Sequence, residues 1–241
     1  MLRALHVVHL EAVPFENLDI HFGRPIVLDE EALFDKIVTR RRGGFCYELN
    51  GLFSALLREL GFPVTRLSAG VARPEGSFSP DFSHMTLLVE LEDRWLADVG
   101  FGDSFREPLL FDEPRDQIRD GLAYRVTHDG RQGIMLRSGD GSAGGTGYRF
   151  GLEPRIFADY AGMCHFHQTS PESPFTQRRI CTRATPEGRI TLSDLRLIIT
   201  AHGERREQLL TDDEWKRTLE RDFGIRPAEL VFEEQKDERR S

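Results

Sequence analysis

Residues 40–61 read RRRGGFCYELNGLFSALLRELG. Phe45, Leu49, Leu52, Phe53, Leu56, Leu57 and Leu60 recur at helical spacing, which predicts an amphipathic helix. Gly43 and Gly44 let the chain turn ahead of it, and Gly61 with Pro63 ends it. Cys46 falls in the first turn, where unpaired N–H groups and the positive end of the helix dipole ease loss of the thiol proton. The thiolate is a strong nucleophile, whereas a lone buried thiol is an inert small apolar group. What the rest of the chain sets beside Cys46 decides between the two.

The chain has 241 residues, enough for one large domain or two to three small ones. It is 39% hydrophobic and 30% charged, the balance of a globular protein with a real core. It has no apolar run of about 18 residues and its first residues form no signal-peptide core, so no membrane partner is expected. A net charge of −8 argues against nucleic acid, and any anionic ligand would need a local group of Arg or Lys. Cys46, Cys164 and Cys181 are odd in number and scattered, giving neither a disulfide framework nor a zinc pattern. A reducing, cytoplasmic setting is the expectation.

Upstream of the cysteine helix, residues 2–13 predict a helix closed by Pro14. It carries His6 and His9 at i and i+3, but no third ligand is placed, so no metal site is assigned. Residues 14–20 form an extended linker. Asp29 is a candidate N-cap for a helix whose inner face is Leu33, Phe34, Ile37 and Val38, with Leu28 and Leu33 spaced as a hydrophobic staple. Lys36 and Arg40–Arg42 read as cations at that helix's C-terminal end. Beyond Gly61 the period becomes that of strands, at residues 64–71, 84–91, 94–99, 124–127, 134–136 and 148–152. Residues 138–147 form a glycine-rich loop too irregular to cradle phosphate. A helix over 154–165, strands at 177–185, 189–192 and 196–200, a helix over 211–223 and a charged, frayed tail complete the chain.

A catalytic thiol needs a base, and the base needs an orienting partner. His84 and Asp98 lie on the two arms of a hairpin. A two-residue turn at Glu92-Asp93 would put them on opposite faces. A three-residue loop at 91–93 sets Asp98 opposite Thr86 and Glu90 opposite Arg94. His84 and Asp98 then become diagonal neighbours, roughly 7–8 Å apart at the backbone, on one face with Thr86, Leu88 and Leu96. That register is the one expected, because an aspartate among Trp95, Leu96, Ala97 and Val99 is costly without a partner. From spacing alone, a structural His–Asp pair beside an unrelated cysteine stays open.

PFENLDI (14–20), RRGGFCYELNGLF (41–53), HMTLLVEL (84–91), WLADVGFG (95–102) and TSPESPF (169–175) resemble, in order and over nearly the whole chain, the arylamine N-acetyltransferase family. The resemblance implies an α+β fold with a cysteine-protease-like core. Its parts would be a helical bundle over 1–61 carrying the cysteine, a β-barrel over 62–168 carrying the histidine and aspartate, and an α/β lid over 169–241. It implies Cys46, His84 and Asp98 as a catalytic triad, acetyl-CoA as co-substrate, no metal, and an aromatic amine or hydrazine as acceptor. It implies Phe15, Phe101 and Ser83 near the substrate, Thr185 of the TPEG turn near the cofactor, and an Arg42–Glu16 ion pair that holds the site. Aligned on those motifs, the chain starts part-way into the family's usual first segment, its His-to-Asp spacing is one residue shorter, and CHFHQ before TSPESPF departs from the common pattern.

The implied chemistry is ping-pong: a thiolate–imidazolium pair takes the acetyl group onto Cys46, and the amine then removes it. The alternatives are an amide synthase of the same fold that closes a macrolactam from a carrier-bound acyl donor, a cysteine protease, and a paralogue that binds without turnover.

Overall fold

The computed structural model describes residues 1–139 and 146–230. Most of the glycine-rich loop and the charged tail lie outside the described residues. Helix α1 (Leu2–Ala12) leads into the two-residue strand β1 (Phe15–Glu16) and the single turn α2 (Leu18–His21). Helix α3 (Glu30–Phe34) is capped by Asp29, whose carboxylate accepts from the N–H groups of Glu31 and Ala32, each at 3.1 Å. It widens into a π turn (Asp35–Thr39), and the phase of the helix slips there. Leu33 and Ile37 are buried as expected, but Phe34 and Val38 face solvent and Lys36 turns inward.

Helix α4 (Cys46–Glu59) starts at the cysteine and buries Leu49, Phe53 and Leu57, while Leu56 and Leu60 are exposed. Its buried stripe also takes in Cys46, Asn50 and Ser54, polar positions that an apolar count passes over. The glycine pair before it serves close approach and not a left-handed turn. A Cβ on Gly43 would lie 2.0 Å from the Pro14 carbonyl oxygen, and one on Gly44 2.7 Å from the Glu48 carboxylate. The left-handed residue of the connection is Arg41, at φ 52°.

Strands β2 (Val64–Val71), β3 (His84–Glu90), β4 (Arg94–Ala97), β5 (Leu109–Leu110), β6 (Gln117–Arg119), β7 (Leu122–His128), β8 (Gln132–Ser138) and β9 (Thr146–Gly151) form one antiparallel sheet. Their order is β5-β4-β3-β2-β9-β8-β7-β6, nearly closed into a barrel. The Gln117 amide bridges the two edge strands, accepting from Leu110 N–H and donating to Leu110 C=O, both at 2.8 Å. β3 pairs with β4 as Glu90 with Arg94, Val89 with Trp95 and Leu87 with Ala97. This is the three-residue-loop register. Leu88 and Leu96 therefore join the barrel interior, with Tyr148 and Phe150, while Met85, Leu87, Val89 and Ala97 pack against the helices.

Helix α5 (Phe157–Thr169) starts three residues later than Pro154 suggests, because Arg155 N–H is bonded to the Arg66 carbonyl and keeps the lead-in extended. After the turn α6 (Pro174–Gln177), strands β10 (Ile180–Thr185), β11 (Gly188–Ser193), β12 (Arg196–Ala201) and β13 (Glu204–Leu209) form a second antiparallel sheet, with β1 on its far edge. β13 reads ERREQL, an exposed, charged edge strand without the alternation that marks half-buried ones. Helix α7 (Asp212–Phe223) covers this sheet with Trp215, Leu219 and Phe223. Among the described residues, no helix is long and apolar enough to cross a membrane.

Candidate active site

The site forms where β4 stops. Asp98 lies one residue past its end, so β3 beyond Leu87 has no strand on that side. The N-terminal turns of α4 fill the gap: Asn50 donates to the Met85 carbonyl (2.6 Å), and the Met85 N–H lies against the Cys46 sulfur. Gly100 packs so close that a Cβ there would lie 2.8 Å from the Cys46 Cα. A helix carrying the candidate nucleophile is thus wedged beside strand β3, which carries His84, and the end of β4, past which Asp98 lies.

His84 Nε2 donates to Asp98 Oδ2 at 2.6 Å, with both side chains buried. Nδ1 is the ring nitrogen that Asp98 does not engage, and His84 and Cys46 line the same cavity. Asp98 Oδ1 accepts from Asn50 Nδ2 (2.8 Å) and from Gly100 N–H (2.9 Å). Burial by itself would raise the Asp98 pKa, but His84, and after it Asn50 and Gly100, outweigh this and hold the carboxyl below its ordinary value. Asn50, unremarked in the sequence beyond its place in the motif, also accepts from Val99 N–H through Oδ1 (2.9 Å). The His84 ring rests edge-on against Phe101 and tilted against Tyr148, with centroids 5.2 and 5.0 Å away. For Cys46 taken alone, burial pushes the thiol well up, against the pull of the Met85 and Tyr47 N–H groups. Helix placement is therefore not enough to ionise it.

Behind the cysteine lies a buried chain of alternating charge. Glu16 Oε1 accepts from Arg42 Nη2 (2.7 Å), which also reaches Asp19 (2.8 Å); Lys36 joins Asp19 to Glu48, each at 2.7 Å. Glu48 in turn accepts from Phe45 N–H at 3.0 Å, satisfying a donor at the start of α4. Lys36 is thus no helix-end cation but the link between two buried carboxylates. Phe82, left-handed at φ 67°, precedes Ser83 and His84 and is held by Tyr47 Oη on its carbonyl (2.6 Å) and Ser68 Oγ on its N–H (2.9 Å).

A cavity of about 890 Å³ opens over the site. Cys46, His84, Phe15, Phe101 and Ser83 line it together, as do Phe166, His167, Phe175, Arg73, Arg189 and Arg205. His167, on α5, bonds Ser83 C=O through Nε2 (3.3 Å) and Ser173 through Nδ1 (3.1 Å), and burial lowers its pKa to about 4. The structure does not bring Thr185 into the cavity lining. It ends β10, and its hydroxyl accepts from Gly188 N–H (3.1 Å) to close the TPEG turn; Thr182, Thr191 and Thr200 of the same sheet face the cavity instead.

The family model described as N-acetyltransferase matches residues 1–230. The arylamine N-acetyltransferase / N-hydroxyarylamine O-acetyltransferase of Salmonella typhimurium is 34% identical over 229 residues, 93% of this chain and 81% of that one. The arylamine N-acetyltransferase of Escherichia coli is 35% identical over 210 residues, 86% of this chain and 74% of that one. Among solved structures, the Salmonella typhimurium enzyme matches with a TM-score of 0.88 at 32% identity, over 99% of this chain and 89% of that one. The Mycobacterium marinum arylamine N-acetyltransferase in complex with CoA matches with a TM-score of 0.87 at 32% identity, over 96% and 88%.

Proposed function

Since the chain belongs to the arylamine N-acetyltransferase family, we propose that it moves an acetyl group from acetyl-CoA to an aromatic amine or hydrazine by way of acetyl-Cys46. Asp98 keeps a proton on His84 Nε2 and leaves Nδ1 bare, so Nδ1 takes the thiol proton. Burial penalises a lone thiolate, but a thiolate–imidazolium pair is neutral as a whole, and its internal attraction is large where water is excluded. The N-terminus of α4 and the Met85 N–H add to the stabilisation of the sulfur. Sulfur then attacks the thioester carbon, the bond to the CoA sulfur breaks, and His84 returns the proton to CoA. In the second half an amine nitrogen attacks acetyl-Cys46, His84 takes its proton, and Cys46 leaves as the restored thiolate.

The volume suits a small ligand, and the phenyl rings of Phe15, Phe101, Phe166 and Phe175 suit an aromatic acceptor. Arg73, Arg189 and Arg205 are the cations of the lining that an anionic donor could meet, Arg189 and Arg205 in exchange for their bonds to Asp103 and Glu207. One observation carries the reading: His84, bonded to Asp98, and the helix-terminal Cys46 line one cavity. The test is intact mass after acetyl-CoA. One acetyl group is expected on Cys46, removed by an arylamine and absent in Cys46→Ala. A folded sample that takes up no acetyl group, or holds it elsewhere, would refute the proposal; uptake only from a carrier-bound polyketide thioester would move the chain to the amide synthases.

A further inference from the structure

We propose that His6 is a positioning residue that fixes the main chain of Asp98 and, through it, the proton relay to Cys46. The proposal rests on the reading of Asp98 as the orienting partner of His84. Because Asp98 has left the β-ladder, its N–H lacks a strand partner in a buried place. His6 Nε2 accepts it at 3.1 Å. The other ring nitrogen, Nδ1, donates to the Arg106 carbonyl at 2.8 Å. An N–H can only donate and a carbonyl only accept, so the two contacts together admit a single neutral tautomer, with the proton on Nδ1. The fully buried ring lies flat beside Phe105 (5.8 Å, 16°) and edge-on to Phe53 (6.0 Å, 80°).

The loop that returns from Asp98 is tied to the same helix on both sides of this contact. Arg106 pairs with Glu11, and Arg3 with Glu107. Asn50 of α4 holds the next peptide N–H, that of Val99. Two helices thus clamp consecutive peptides of the strand end, one from each side chain. Burial lowers the His6 pKa to about 4, so the accepting nitrogen stays bare at neutral pH. The consequence is geometric: the His84–Asp98 bond is 2.6 Å long, and His6 fixes the Asp98 main chain from which the carboxylate reaches it, alongside the bonds of Asn50 and Gly100 to Oδ1.

The two nitrogens can be separated by substitution. His6→Gln places an amide oxygen at about the reach of Nε2 and keeps the contact to Asp98; His6→Asn keeps the contact to Arg106 and loses the one to Asp98. Each removes one hydrogen bond, so a merely structural role predicts similar losses in both. We expect acetyl-Cys46 formation from acetyl-CoA to fall about 10–100-fold in H6N, as for other residues that orient a reacting group, and to stay within about threefold of the parent in H6Q, with similar melting temperatures. Equal losses in both variants, or an undiminished H6N, would overturn the proposal. Should H6N not fold, H6Q alone decides, a fall of tenfold or more counting against it. Asp98→Asn, run alongside, separates the two readings. Full activity there refutes the role of Asp98, while an inactive D98N beside a fully active H6N refutes only that of His6.

Discussion

Lys36→Met tests how far the buried charges behind Cys46 support the fold. Lys36 is 7% exposed at its side chain, Asp19 9% and Glu48 1%, so neither of its ion pairs is screened by water. Asp19 would keep Arg42 as a partner, but Glu48 would keep only the Phe45 N–H. Removing one member of a buried pair costs about 3–5 kcal/mol, a large part of a total stability of about 5–15 kcal/mol. At about 2–4 °C per kcal/mol for a chain of this size, the melting temperature should fall by roughly 6–20 °C. Lys36→Met with Glu48→Gln should recover at least half of that, because a neutral amide can still accept from Phe45 N–H. The deficit should also depend on pH. Burial holds the Glu48 carboxyl above its ordinary 4.5, and loss of Lys36 raises it further. A carboxyl raised in the folded state stabilises at low pH, and that contribution is lost as pH rises through the folded pKa. The single variant should therefore lie closer to the parent at acid pH than at slightly alkaline pH. Thermal and urea unfolding at two pH values measure this. A melting temperature within about 2 °C of the parent at both, or a double variant no better than the single, would refute the reasoning.

Cys164→Ala should acetylate at nearly the parent rate, since Cys164 is buried outside the cavity lining, and a loss as deep as that of Cys46→Ala would contradict the choice of nucleophile. Iodoacetamide should alkylate Cys46 at a rate that is already near its maximum at neutral pH if the ion pair forms. A rate that instead climbs through the range of a free thiol, near about 8.5, would show that burial prevails over His84. Gly100→Ala should cut acetylation at least about tenfold, because its Cβ would lie 2.7 Å from Asn50 Nδ2 and 2.9 Å from the Cys46 carbonyl oxygen; unchanged turnover would show that the helix start can shift freely. Tyr47→Phe should slow acetylation while binding CoA normally, since it frees the strained Phe82 peptide ahead of His84, and equal rates would remove that link.

Features that depend on neighbours in sequence were legible. The start of the Cys46 helix, the cap at Asp29, and the limits of the strand at residues 64–71 follow from local spacing and local hydrogen bonds. The hairpin register was legible too, because one residue of slip would have placed Asp98 on the wrong face, and a lone aspartate there is too costly. What depends on distant segments was not. Phe34, Val38, Leu56 and Leu60 fit the helical period yet face solvent, since periodicity marks a stripe without fixing how wide the covering element is. Lys36 looked like a helix-end cation because its partners lie 17 and 12 residues away, at Asp19 and Glu48. His6 reaches Asp98 across 92 residues. Spacing along the chain could nominate the thiol, the imidazole and the carboxylate, because each sits on an element with its own local signal. Only tertiary packing decides what surrounds them: the burial that pushes the thiol up, the amide of Asn50 and ring of His6 that hold Asp98, and the turn that takes the Thr185 hydroxyl. Those effects arise from desolvation and from contacts between remote segments, and neither has a local signature.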